Sequence, residues 1–404
     1  MLNKKTVLFF TGSYNTVVAE NVKREMKSDP TTIEVIITKK ELTNHIKNAL
    51  VDKFSPEETR IRQFLRSKRE AVESIGSHRT PSQKVNFSRR NALQRRILNA
   101  LNRYNPQVIV VTTQALLAEC LAAVDKYGKD VKVVVVGEEF TLDKRLIHRN
   151  VDYYFVDNFD MRAALTDGGI AEEKVEIVSL PVGKEYFNVT PRAEAIKKLA
   201  LDGRKPTVLV SASKMGDSKF IKVAEAIKNA NFDANIVVAC GKNRQFINAV
   251  RGMNFTAYNE GIDMNTALDA CDVLVTRPTT MLLGEAIVKE KKIFALMPNG
   301  KTESANLDYL SLDRVTKVTE TEELIALMRQ ELNRLATKFS SPDPYSFTDG
   351  LDASEMDYIN ISEEIYNEGK INKIKTYDEN SAKIIAAKIL ELATNAQKIE
   401  QPLE

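Results

Sequence analysis

Short runs rich in β-branched residues recur along this chain, each separated from the next by a longer segment of helical periodicity. Val108 to Val111, Val131 to Val136 and Val151 to Val156 form one series. Thr207 to Ser211, Asn235 to Cys240, Val273 to Val275 and Ile293 to Leu296 form a second. A strand that is apolar on both faces must be covered on both, and helices between consecutive strands supply that cover, so the pattern requires parallel sheets. At 404 residues the chain is too long for one compact core. The expected fold class is therefore α/β, with two facing Rossmann-like domains and a C-terminal helix. The boundaries read as 1–188, 189–335 and an acidic extension with the terminal helix over 336–404.

The turns after the strands are where ligands are expected, because an open parallel sheet binds at the carboxyl ends of its strands. Thr6 to Phe10 reads as the first strand, Thr11 to Asn15 as its turn, and Ile33 to Ile37 as the second strand. Gly137-Glu138-Glu139-Phe140 closes another strand. Its adjacent carboxylates have two readings, one containing a general base and one in which the pair caps the next segment or is solvated. In the second half, Ser213 to Gly216 and Gly241-Lys242-Asn243 follow strands in the same way. The stretch Ala270 to Leu310 holds a strand, the turn Arg277-Pro278-Thr279-Thr280, a helix carrying Glu285, a further strand and a polar loop with Glu303 and Asn306. A small-residue turn before a helix N-terminus suits a diphosphate, because the helix dipole and free N–H groups favour negative charge. Thr321 is the expected N-cap of a helix over Glu322 to Leu335, and a terminal helix is expected over Asn380 to Gln397.

Charge is uneven. Arg60 to Arg103 carries twelve Lys/Arg against two Glu, whereas Ser341 to Glu404 carries six Lys against thirteen Asp/Glu. Ser55 to Asn102 reads as helical and basic, with a break over Ser77 to Ser88. Its arginines, Arg66, Arg69, Arg89, Arg90, Arg95 and Arg96 among them, fit an anionic membrane surface, nucleic-acid phosphates or a solvated helical face. Thin aromatic content, Phe64 and Phe87 alone, weakens base stacking. Three scattered histidines and three cysteines in apolar contexts give no metal-like spacing, and the cysteines are expected reduced, as in the cytosol. The first apolar run stops at Thr11-Gly12, unlike a secretory signal, and no run reaches the roughly 18 to 20 residues of a membrane span.

Four motifs carry a resemblance: Asn150 through Val156, Cys240-Gly241-Lys242-Asn243, Asp272 through Ala286, and Glu303 through Asn306. In order and spacing the chain resembles the two-domain glycosyltransferases of the monogalactosyldiacylglycerol synthase and processive diacylglycerol glucosyltransferase family. The peptidoglycan N-acetylglucosaminyltransferase is a more distant cousin. The similarity spans roughly Lys5 to Leu335. It implies a glycosyltransferase-B fold and transfer of a hexose from a UDP-sugar to a lipid or lipid-linked acceptor. No cofactor is implied beyond the UDP-sugar co-substrate, and no metal. Gly216, Lys242, Asn243, Arg277, Thr279, Thr280, Glu285, Glu303 and Asn306 fall on the donor side, with Glu285 at the ribose hydroxyls. Glu139 falls at the catalytic base, and the basic segment falls at the region that meets anionic lipid on the inner face of the membrane. By the same token nucleic acid is the less favoured partner.

Five positions depart from the family. Thr279 and Thr280 replace glycines, and threonine resists positive φ. Asn15 replaces a histidine, and its amide can orient an acceptor but not take a proton. Glu139 replaces an aspartate, and Glu260 stands where an apolar or aromatic residue often lies beside the uracil. Two expectations follow: a UDP-sugar-dependent hexosyltransferase, or a catalytically inactive relative that keeps the fold for binding or scaffolding.

Overall fold

The computed structural model describes residues 5–11, 16–26, 32–38, 81–214, 216–259, 261–298, 300–310, 315–339 and 377–399. Asn15, Arg66, Arg69 and Glu260 lie outside the described residues. Contacts divide the chain into two compact units. One comprises Met1–Glu138, Leu142–Val178 and Ala382–Glu404, the other Ser179–Ser381 together with the short stretch Glu139–Thr141. The change of unit thus falls ten residues ahead of the expected 188, and the terminal helix groups with the first unit.

The first unit runs β1 (Lys5–Thr11), α1 (Val17–Met26), β2 (Thr32–Thr38), α2 (Pro81–Tyr104), β3 (Val108–Val111), α3 (Gln114–Tyr127), β4 (Lys132–Val136), β5 (Tyr153–Val156), α4 (Phe159–Asp167) and β6 (Val175–Ile177). The strands form one sheet in the order β2-β1-β3-β4-β5-β6, parallel throughout. The order reverses between β1 and β3. Alternate residues of these strands, Leu8 and Phe10, Ile109 and Val111, Val133 and Val135, meet α2 and α3 in one core. Thr113 caps α3 and Gly128, at φ 70°, ends it in the left-handed conformation favoured at that position. On the terminal helix Ser381–Ile399, the buried Ile385, Ile389 and Ala393 share one face, and the Lys388 ammonium lies 5.1 Å from the centre of the Tyr153 ring.

The second unit runs α5 (Arg192–Lys198), β7 (Thr207–Ser211), α6 (Phe220–Ala230), β8 (Asn235–Ala239), α7 (Arg244–Val250), β9 (Thr256–Tyr258), α8 (Met264–Ala270), β10 (Val273–Thr276), α9 (Thr280–Val288), β11 (Lys292–Leu296), α10 (Lys301–Tyr309), β12 (Val315–Val318) and α11 (Thr321–Phe339). Its parallel order is β12-β11-β10-β7-β8-β9, the strand order of a doubly wound dinucleotide fold. The switch point lies between β7 and β10, so the loops after those two strands flank the position where such folds bind ligands.

An aspartate just before a strand does the same work in both units. Asp152 accepts from the Val133 amide at 2.8 Å, and Asp272 from the Thr207 amide at 2.7 Å while also pairing with Arg192 at 3.1 Å. Asp272 therefore sits at the amino edge of its sheet, opposite the ligand edge, and secures strand pairing rather than framing a donor.

Three expectations about local structure change. The break over Ser77 to Ser88 is helical from Pro81 onward, because proline's fixed φ and missing N–H are tolerated in a first turn. Glu303 and Asn306 lie on α10 rather than in a loop, with Gly300 at φ 90° ahead of it. Thr321 is inside α11, and the turn before it is closed by Thr319, whose amide and hydroxyl both donate to Glu323 at 2.8 Å.

Candidate functional site

The second unit's ligand edge begins with two loops packed backbone on backbone. Gly216, after β7, has φ 69°, and a Cβ there would lie 2.3 Å from the Cys240 carbonyl oxygen. Gly241, after β8, has φ 59°, and a Cβ would lie 2.6 Å from the carbonyl oxygens of both Ser213 and Lys214. The Lys242 amide donates to the Lys214 carbonyl at 3.1 Å. Asn243 caps α7 through Gln245 and Phe246, and its amide nitrogen reaches the Gly216 carbonyl at 3.3 Å. The side chain of Asn243 is thus committed to holding the loops, while Lys242 is exposed.

The loop between β10 and α9 crosses the switch point. Arg277 is buried, and its guanidinium reaches Glu303 at 2.5 Å and Asp217 at 3.5 Å. One arginine therefore joins the loop after β7 to α10, and its charge is already met by two carboxylates. Its Nε has no hydrogen-bond partner among the described residues. Thr279 has φ −82° and ψ 125° and makes no side-chain cap to α9. Thr280 starts the helix. Neither residue occupies the positive-φ region, so the backbone course here is one threonine adopts freely, and the first-turn N–H groups lack a side-chain cap.

Glu139, in the short stretch grouped with this unit, joins the same edge. Its carboxylate accepts from the Thr280 hydroxyl and from the Asn306 amide at 2.6 Å. Asn306, fully buried, also reaches Thr280 at 3.2 Å, and its oxygen accepts from the Phe140 amide at 3.1 Å and the Thr141 hydroxyl at 3.3 Å. Burial pushes the Glu139 carboxyl above its ordinary range, the two hydrogen bonds hold it back, and the nearby Glu303 adds to the rise. A carboxyl raised by burial beside hydrogen-bond donors is the kind of environment in which proton-transfer groups are found.

Glu285 stands apart from that network. It is 8 % exposed, burial pushes its carboxyl up to about 8, and the phenol of Tyr186 donates to it. The structure therefore brings together two groups of the sequence-derived site residues: Glu139 with Thr280 and Asn306, and Arg277 with Glu303. Asp217 and Tyr186 escaped the sequence reading. The signal for Asp217 was its place directly after Gly216, whereas Tyr186 carried none. In the basic segment, Arg89 and Arg90 lie on α2 with side chains outside the described set, Arg95 is exposed and Arg96 half-buried. Cys120, Cys240 and Cys271 are free and buried, and burial raises every one of these thiols. Among the described residues no helix is long and apolar enough to cross a membrane.

The fold is of the glycosyltransferase-B type, with two parallel-sheet Rossmann-like units. The family described as monogalactosyldiacylglycerol (MGDG) synthase matches residues 15–182, and the chain resembles that family. A processive diacylglycerol beta-glucosyltransferase of Staphylococcus carnosus is 23 % identical over 252 residues, a match spanning 60 % of this chain and 64 % of that relative. The chain thus matches just under two thirds of that relative's length. Among solved structures, MurG of Acinetobacter baumannii superposes with a TM-score of 0.57 at 12 % identity, covering 96 % of this chain and 99 % of that one. A UDP-GlcNAc 2-epimerase of Neisseria meningitidis bound to UDP-GlcNAc gives 0.56 at 12 %, covering 96 % and 100 %. At such identities the structural likeness concerns the fold.

Proposed function

We propose that this chain is a UDP-sugar-dependent hexosyltransferase whose acceptor is a lipid or lipid-linked hydroxyl at a membrane surface. The observation that carries the reading is the switch-point loop. There an α-helix begins without a side-chain cap, and the same helix presents a buried carboxyl at Glu285. The uncapped first turn of α9 suits the donor diphosphate, whose leaving charge it would stabilise. Glu285 would take the ribose hydroxyls. Gly216, Lys242 and Asn243 would lie on the nucleotide side, and Glu303 and Asn306 on the sugar side. Glu139, with its raised carboxyl, is the candidate base, and Asn15 would orient the acceptor. The similarity to lipid glycosyltransferases supports the acceptor class. The arginines Arg66, Arg69, Arg89, Arg90, Arg95 and Arg96 would face anionic lipid, on the cytoplasmic side of the membrane.

A second reading, a catalytically inactive relative, is favoured by one specific observation. Arg277 and Asn306, expected to hold donor groups, are already engaged by Asp217, Glu303, Glu139 and Thr280. Calorimetric titration with UDP and UDP-hexoses separates the two. Heat of binding that Glu285→Ala removes and Glu139→Gln spares, with transfer lost in Glu139→Gln, supports the enzyme. No heat at millimolar ligand sinks it. Co-sedimentation with anionic liposomes tests the surface, and binding that survives glutamine at Arg89, Arg90, Arg95 and Arg96 removes those residues from it.

A further inference from the structure

The segment from Leu180 to Thr190 straps α9 at two places. Its first contact is at Gly284, where a Cβ would lie 3.3 Å from both Leu180 Cδ2 and Val182 Cγ2, so the strap already touches the helix. A tight turn follows, in which the Tyr186 amide donates to the Gly183 carbonyl at 3.0 Å and the Phe187 amide to the Lys184 carbonyl at 3.1 Å. The second anchor is a buried ion pair. Lys289 meets Asp269 at 2.7 Å, the Asn188 carbonyl accepts from the same ammonium at 2.7 Å, and the Thr190 amide donates to Asp269 at 3.1 Å.

Glu285 lies on α9 between Gly284 and Lys289, the two points where the strap is fastened. Tyr186 lies on the strap between the same two points, and its phenol donates to the Glu285 carboxyl. A carboxylate has about four acceptor positions. Among the described residues Tyr186 hydrogen-bonds to one side of the Glu285 carboxyl, which leaves capacity for a ligand's hydroxyls. Glu185 on the strap adds negative charge beside the carboxyl, and Asp263 adds it beside the phenol. Tyr186 is therefore the group nearby that favours the carboxylate as an acceptor.

We infer that Tyr186 is a positioning residue, its phenol clamping the Glu285 carboxylate in the orientation that accepts the two ribose hydroxyls of a uridine nucleotide. The inference rests on the reading that the second unit binds a UDP-sugar. It adds a residue from outside the nucleotide-binding loops, held by the strap and acting through Glu285.

The test is calorimetry on the full chain with two probes, UDP and 2′,3′-dideoxy-UDP, across wild type, Tyr186→Phe, Glu285→Gln and the double variant. The expected result at pH 9, above the value to which burial lifts the Glu285 carboxyl, is that Tyr186→Phe weakens UDP about tenfold, as for loss of one hydrogen bond to a charged group, and leaves the dideoxy probe unchanged. The double variant should bind no worse than Glu285→Gln alone. The readout is the ratio of the two affinities, which a general loss of stability does not move. Should Tyr186→Phe fail to fold, Tyr186→Met is read in the same way. An unchanged ratio in the Tyr186 variant, or additive losses in the double variant, overturns the inference while leaving the donor site intact. Wild-type protein that binds neither probe overturns the donor site and this inference with it.

Discussion

The Lys289–Asp269 pair offers a stringent test of how the second unit is held together. Both side chains are fully buried, 2.7 Å apart, and each has one further backbone partner, the Asn188 carbonyl and the Thr190 amide. Lys289→Met keeps the length of the stem and removes the charge. Asp269 is then left as a buried carboxylate with one amide donor, and breaking a buried pair from one side costs about 3–5 kcal/mol. For a unit of this size each kcal/mol lowers the melting temperature by roughly 2–4 °C, so the expected drop is on the order of 6–20 °C. Replacing both partners, Lys289→Met with Asp269→Leu, removes the stranded charge and should recover most of the loss. The assay is thermal and urea unfolding of the single and double variants. Lys289→Met within about 0.5 kcal/mol of wild type, or a double variant no better than the single, refutes the reasoning.

Further outcomes follow from the same geometry. Glu285 should make stability depend on pH. Its folded carboxyl keeps its proton up to about 8, against 4.5 for the free group, so the folded state binds more protons in that window and stability falls as pH rises through it. Glu285→Gln should flatten the profile between those values, and an unaltered slope in urea titrations from pH 5 to 8.5 counts against a buried, protonated Glu285. Gly241→Ala should cost about 1–3 kcal/mol, because its Cβ meets two carbonyl oxygens at 2.6 Å and φ is 59°. Urea midpoints equal to wild type would show that the loops after β7 and β8 are not so closely packed. Thr280→Val should lose about 1–3 kcal/mol by stripping a donor from the buried Glu139 carboxylate, while Thr280→Ser stays near wild type. Equal losses in the two variants, read by the same unfolding curves, would mean that the hydroxyl's bond is idle.

The sequence alone determined the sheets. Runs such as Val108–Val111 and Thr207–Ser211 are apolar on both faces, and only a parallel strand under helices buries both, so these strands appear where the pattern put them. It also located the loops at the ligand edge, because those lie where a strand ends and a helix begins. Local pattern could not assign partners. Thr280 meets Glu139 across 141 residues and Asn306 meets it across 167, and nothing in the spacing of either segment encodes that meeting. The same holds for Arg277. As a lone cation in a turn it reads as a phosphate ligand, yet α10 places Glu303 at 2.5 Å and the loop after β7 places Asp217 at 3.5 Å. The threonines at 279 and 280 look obstructive beside a glycine motif until the backbone is seen to run at negative φ. Propensity and periodicity act over a few residues and therefore fix elements. Charge neutralisation and buried hydrogen bonding act through space, so only the assembled second unit decides which polar groups stay open to a ligand.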